Sequence, residues 1–135
     1  MQKELEVAIE AAYNAGKVLR SMFEKGVQVH YKGRVDLVTT ADFESEKTII
    51  ETIHKAFPNH GIYAEESGIK EGTQPLRWII DPLDGTTNFA HNFPLFAVSI
   101  ALEHEEETVL GVVYNPISDE MFTAAKGEGS RKNDK

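Results

Sequence analysis

Two carboxylates three residues apart, Asp81 and Asp84, stand at the end of the apolar run Trp78-Ile79-Ile80, and Gly85-Thr86-Thr87-Asn88-Phe89 follows at once. Carboxylates at the end of a buried strand suit a hard divalent cation, because Mg²⁺ takes oxygen ligands in near-octahedral geometry. Pro82 fixes its own φ and stiffens the turn between the two acids. Gly85 removes a side chain where the backbone must approach something closely. The amides after it can open a short helix and face an anion. Metal ligands beside a phosphate cradle point to metal-assisted phosphoryl chemistry. The same residues also make a good turn, since Asp-Pro-x-Asp-Gly meets every demand of loop geometry. Taken alone, the motif leaves both readings open.

The elements that must position these residues follow from the apolar periodicity. Leu5, Ile9, Ala12, Gly16, Leu19 and Phe23 recur at three- and four-residue steps and predict an amphipathic helix over 2–25, with Gly26 as its stop. Val27, Val29 and Tyr31 then alternate as in a half-buried strand. Lys32-Gly33-Arg34 is a polar turn, and Asp36-Leu37-Val38-Thr39 is the expected returning strand of a hairpin. A second helix is predicted from Thr40 or Ala41 to Phe57, with Ile49, Ile50, Ile53 and Phe57 as its stripe, Thr39, Thr40 and Asp42 as capping candidates, and Pro58 and Gly61 ending it.

Ile62-Tyr63-Ala64 is strand-like and leads into Glu65-Glu66-Ser67-Gly68, with 68–75 a polar loop. Strands are predicted over Leu76 to Ile80, Phe96 to Leu102 (apolar enough for burial on both faces), Thr108 to Tyr114 and Glu120 to Ala125. Asn115 to Asp119 and Lys126-Gly127-Glu128-Gly129 are turns.

Composition bounds the function. The 135 residues suffice for one domain with a core, and 41% hydrophobic with 27% charged residues is ordinary for a globular protein. No apolar run approaches the ~20 residues needed to span a bilayer. The N-terminus lacks the apolar stretch of a signal peptide. The chain has no cysteine, which removes disulfides, thiolate ligands and a thiol nucleophile. The expected location is cytoplasmic, with no membrane partner. A formal charge of −8 argues against nucleic acid. It would also repel a phosphate ester unless bound Mg²⁺ supplied local positive charge.

Four segments taken together resemble the inositol monophosphatase family of Mg²⁺-dependent, lithium-sensitive phosphatases. They are Val35 to Asp42, Ala64-Glu65-Glu66-Ser67, Trp78 to Phe89, and Phe93 to Ala101, in the family's order and across nearly the whole chain. Asp-Pro-Leu-Asp-Gly-Thr-Thr-Asn-Phe is the specific part. The resemblance implies an α/β (α+β) fold, a layered α/β/α sandwich of the sugar-phosphatase type. Of this the chain would hold the N-terminal helices and a largely antiparallel sheet.

The resemblance also implies roles. Glu65, Asp81 and the Leu83 carbonyl would bind a first Mg²⁺, with Asp81 bridging to a second that Asp84 also holds, and two or three ions in all. Mn²⁺ would substitute and Li⁺ inhibit. Thr86 would position the attacking water with Asp42 as its partner. Read locally, Asp42 is also an ordinary carboxylate in a helix's first turn. The amides of Gly85 and Thr86 would hold the phosphate beside Glu65, Leu83 and Asp84. Lys32 resembles a family lysine on a loop near the site and equally reads as an exposed loop residue. His91 is read as structural or solvent-facing, because Mg²⁺ rarely takes imidazole. A homodimer is implied by the family.

The pattern also departs from the family. Members are roughly twice this length, and their C-terminal half carries a Trp-Asp-x-Ala motif that completes the second metal site. After Gly127-Glu128-Gly129 they continue with a small residue and an aromatic, where Ser130-Arg131 stand here. The expected unit is therefore residues 1–135 as the N-terminal portion of such a domain. The expected activity is hydrolysis of inositol 1-phosphate or a similar sugar phosphate. Fructose 1,6-bisphosphate and 3′-phosphoadenosine 5′-phosphate are alternative substrates. The competing functions are a shortened, non-catalytic relative that binds metal, phosphate or a partner chain, and a bare fragment with exposed core surface.

Overall fold

The structure is a computed structural model that describes residues 1–28 and 34–134. The strand expected at Val29 and Tyr31, and the turn lysine Lys32, lie outside the described residues. Helix α1 spans Gln2–Gln28 and α2 spans Arg34–Ala56. The strands are β1 (Gly61–Ala64), β2 (Gly68–Lys70), β3 (Leu76–Asp84), β4 (Ala97–His104), β5 (Glu107–Asn115), β6 (Glu120–Ala125) and β7 (Ser130–Lys132), and the short helix α3 (Thr86–Ala90) follows β3. Among the described residues these strands form one seven-stranded sheet, ordered β2-β1-β3-β4-β5-β6-β7. Every neighbouring pair is antiparallel except β1 with β3.

Helices α1 and α2 pack on each other and on one face of the sheet. The α1 stripe is rich in small residues, with Ala8, Ala11, Ala12 and Ala15 fully buried beside Leu19 and Phe23. Small side chains let the helix axis come close to the strands. At Gly16 the approach is closest: a Cβ there would collide with the ring of Tyr114 on β5. From the sheet, Trp78, Ile80, Val98, Ile100, Leu102, Leu110 and Val112 face the helices. Their alternation along each strand is the period-2 signature of a sheet with one packed face.

Several expectations need correction. Helix α1 passes through Gly26, because the ~1 kcal/mol cost of glycine in a helix does not by itself end one. The segment Asp36-Leu37-Val38-Thr39 is helical, not a returning strand. Val38, Ala41, Ser45, Ile49 and Ile53 form one continuous stripe packed on the core, and that helical period overrides the strand propensity of the β-branched residues. Thr39, Thr40 and Asp42 consequently lie inside α2 rather than at its start, and Asp42 is not in a first turn. The loop predicted over 68–75 contains β2, and Ser130–Lys132 adds β7. β4 is not buried on both faces: Val98, Ile100 and Leu102 are buried, while Ala97, Ser99 and Ala101 are half-buried. The helices cover one face only, and Tyr63, Val113 and Phe122 are exposed on the other. Among the described residues no helix is long and apolar enough to cross a membrane.

A buried tryptophan–histidine pair lies in the core. Trp78 Nε1 donates to His60 Nδ1 at 3.1 Å, with both residues buried and Phe57 stacked on the imidazole. Nδ1 accepts only when the ring is neutral on that side, and burial lowers the His60 pKa from the ordinary 6.5. A depressed histidine stabilises the fold fully above pH 6.5, and the contribution is lost as pH falls through the folded value. Urea midpoints taken between about pH 7.5 and about pH 5 are therefore expected to fall more steeply in the parent than in His60→Asn. Equal slopes would show that this pair does not titrate with folding.

Candidate metal centre

The parallel pairing of β1 and β3 determines where the carboxylates emerge. Ala64 is in register with Ile80, so the next residue on each strand, Glu65 and Asp81, leaves the sheet at the same edge. β3 then continues through a register shift between Asp81 and Asp84 against β4. This irregularity keeps Asp81 and Asp84 exposed while burying Pro82 and Leu83 between them. The chain turns at Gly85, whose φ of 96° is the left-handed region. A Cβ at Gly85 would also sit 3.1 Å from the Leu95 carbonyl and 3.3 Å from Phe96 Cα, so the glycine is required twice over. Helix α3 starts at Thr86 as the sequence predicts. Phe89 anchors it from beneath, within 5.6 Å of Phe23 and 5.0 Å of Phe96, ring centroid to centroid.

From the helical layer, α2 brings a second set of acids. Asp42 is half-buried, and its Oδ1 is buried without a hydrogen-bond partner. Its pKa is pushed up from 3.8 to about 6, first by burial and then by Glu65, Glu66, Asp81 and Glu46. Asp81 is raised too, by burial and then by Asp84 and Glu65, with the Leu83 amide opposing as a hydrogen-bond donor. The described ion pairs lie elsewhere, at Arg20–Glu24, Arg77–Glu103, Lys126–Glu107 and Lys132–Glu120. The edge is thus a concentration of like charge with no basic side chain bridging it among the described residues. Two grooves flank it. One, of about 440 Å³, runs between Tyr63, Ile69 and Ile79 and the acids Glu65 and Asp81. The other, of about 510 Å³, is lined by Asp84, Gly85, Asn88 and Phe96.

The donor set fits a hard cation. It is all oxygen, its members repel one another, and one buried carboxylate oxygen lacks a donor. Among the described residues, no three of these side chains are placed together so that they could hold a metal ion. The structure therefore brings Asp42, Glu65, Asp81, Asp84, Gly85 and Thr86 to one edge. It leaves Lys32 outside the described residues and puts His91, exposed, at the end of α3.

Sequence reasoning missed two residues. Glu46 is 2% exposed and accepts from the amides of Glu66 and Ser67 and from the Ser67 hydroxyl. Ser45 is buried beside it and donates to the Pro82 carbonyl. Glu46 lies four residues after Asp42 and three before Ile49, on the buried side of α2.

The sheet carries two helices on one face and a group of carboxylates at the ends of its parallel pair. The chain matches the inositol monophosphatase family over residues 1–135 and belongs to that family. It is 48% identical over 140 residues to inositol monophosphatase 2 of Solanum lycopersicum, covering 100% of this chain and 53% of the relative. It is 47% identical over 137 residues to Nus factor SuhB of Pasteurella multocida, covering 99% of this chain and 51% of the relative. The crystal structure of extragenic suppressor protein suhB from Bartonella henselae superposes with a TM-score of 0.88 at 44% identity, over 98% of this chain and 52% of that one. The chain spans about half the length of the curated relatives it matches.

Asp42 is held charged at neutral pH against its surroundings, so the stability it costs accrues as pH rises from 3.8 and is complete above about 6. Asp42→Asn removes that cost. In chelator at about pH 7 the variant is expected to melt roughly 3–5 °C higher, for a gain on the order of 1 kcal/mol. A lower melting temperature by differential scanning fluorimetry would show that the carboxylate is stabilised by a partner instead.

Proposed function

We propose that this chain is the N-terminal portion of an inositol monophosphatase-like domain that hydrolyses a phosphate monoester with Mg²⁺. The substrate would be inositol 1-phosphate or a similar sugar phosphate. The observation that carries the reading is the convergence of Glu65, Asp81 and Asp84 with the unpartnered Oδ1 of Asp42 at the carboxyl ends of the parallel strands. Glu65, Asp81, Asp84 and the Leu83 carbonyl would hold the ions. Bound Mg²⁺ supplies charge neutralisation and makes a coordinated water acidic. Asp42, whose Oδ1 has no donor, would accept a proton from that water. The Thr86 hydroxyl, at the start of α3, would orient the water with it. The Gly85 and Thr86 amides would receive the phosphate oxygens. Lys32 would add a positive charge. None of these side chains is a strong nucleophile, which favours direct attack by water over a phosphoenzyme.

A second reading, a non-catalytic relative that binds metal and a partner chain, is favoured by one observation. Relatives of nearly equal identity bear two kinds of name, a phosphatase and a Nus factor. The test separates them. Phosphate release from inositol 1-phosphate is expected to require Mg²⁺, to be inhibited by Li⁺, and to fall at least ~10²-fold in Asp84→Asn. Calorimetry that detects Mg²⁺ binding with no turnover would sink the enzymatic reading in favour of the second.

A further inference from the structure

Two adjacent polar residues of α2 are buried where the helix meets the sheet, Ser45 at 0% and Glu46 at 2% exposure. Each grips a different segment. The Ser45 hydroxyl donates to the Pro82 carbonyl at 2.7 Å. Pro82 has no N–H, so that carbonyl is its only backbone hydrogen-bonding group, and it lies between Asp81 and Leu83. Glu46 Oε1 accepts the Glu66 amide at 3.0 Å, and Oε2 accepts the Ser67 amide at 2.9 Å and the Ser67 hydroxyl at 2.7 Å. These donors follow Glu65 directly. One helical step therefore holds both acid-bearing segments, one turn beyond Asp42.

We propose that the Ser45–Glu46 step is a positioning device that sets the separation of Glu65 from Asp81 and Asp84, and with it the affinity of the edge for a divalent cation. The inference rests on the metal-site reading above and deepens it. Glu46 is not itself a ligand here, since both of its oxygens are occupied by protein donors. Its charge matters because a carboxylate is acceptor-only: all three of its partners are donors, and charge-assisted bonds of this kind are short and strong. A glutamine would turn an N–H₂ group toward one of them. Stability alone does not account for the residue. A buried carboxylate costs solvation, and this one adds to the repulsion on Asp42. Groups that orient metal ligands from behind typically carry a 10–100-fold share of metal affinity.

The experiment is Mn²⁺ binding, read by electron paramagnetic resonance and calorimetry, with the melting temperature in chelator measured alongside. The proteins are the parent, Glu46→Gln, Ser45→Ala, Ser67→Ala and Asp81→Asn. Glu46→Gln is expected to weaken Mn²⁺ about tenfold or more. Ser45→Ala and Ser67→Ala are expected to weaken it by about threefold, since each removes one hydrogen bond of the device. Ser67→Ala leaves both amide bonds to Glu46 in place, so it keeps the test alive should Glu46→Gln not fold. A fall in melting temperature with unchanged Mn²⁺ affinity in these variants would make the step merely structural and overturn the proposal. Parent binding that is lost in Asp81→Asn but retained in the Ser45, Glu46 and Ser67 variants overturns the positioning role alone. A parent that binds no Mn²⁺, or an Asp81→Asn that binds as well as the parent, overturns the metal-site reading and this inference with it.

Discussion

One strand pairing carries the geometry of the site. β1 and β3 are the parallel neighbours of an otherwise antiparallel described sheet, and only parallel strands deliver their carboxyl ends to the same edge. With β3 reversed, Glu65 and Asp81 would leave the sheet at opposite ends of a four-residue ladder, roughly 13 Å apart at ~3.3 Å per residue. The connection that permits the parallel return is the passage from Glu65 to Pro75. It descends through β2 on the outer edge of β1 before crossing to the other side. β2 thus lets a short β1 be paired on both sides while the chain is reset to run in the same direction again.

The edge built in this way works against the fold that carries it. Asp42 and Asp81 are both held away from their preferred ionisation, and the described salt bridges leave the edge uncompensated. Around it the packing is unusually aromatic. Phe23, Phe89 and Phe96 support α3, and Trp78, His60 and Phe57 fill the layer beneath β3. Rigid rings with few rotamers lose little entropy on burial. Local rules are broken at the carboxylate edge and obeyed around it, the distribution on which the proposed function draws.

The legibility of the chain follows the same division. β4, β5 and β6 were readable because each is a largely apolar run bounded by polar turn residues. α1 was readable because its stripe is continuous. β2 and β7 are three-residue, wholly exposed edge strands, so no alternation exists to be read. Their pairing is dictated by the neighbours they join. The start of α2 was misread because Val38 and Thr39 favour strands locally, whereas a stripe from Val38 to Ile53 places them on a helix. Asp81, Asp84 and Gly85 announced themselves through motif spacing. Glu46 did not, because a single glutamate in a helix reads as a solvated charge until the turn at Glu66 and Ser67 is seen to be pointing its amides at it. A contact between residues 20 apart in sequence leaves no local trace.

The charge of the edge also constrains how a phosphate ester can be recognised on the proposed function. Two unit charges 4 Å apart near a protein surface repel by roughly 4 kcal/mol at an effective dielectric of about 20. A monoester dianion approaching Glu65, Asp81 and Asp84 meets several such terms at once. Against them stand the amides at the start of α3, worth about half a unit of positive charge in a full helix, and α3 has only five residues. The amides can therefore orient a phosphate but cannot hold it against the acids. Affinity for the ester has to rise with occupancy of the carboxylate edge by a cation. The same acids that make the isolated edge repulsive are what make such occupancy favourable. On this argument cation binding and ester binding are positively coupled through charge alone, with no change of backbone conformation required.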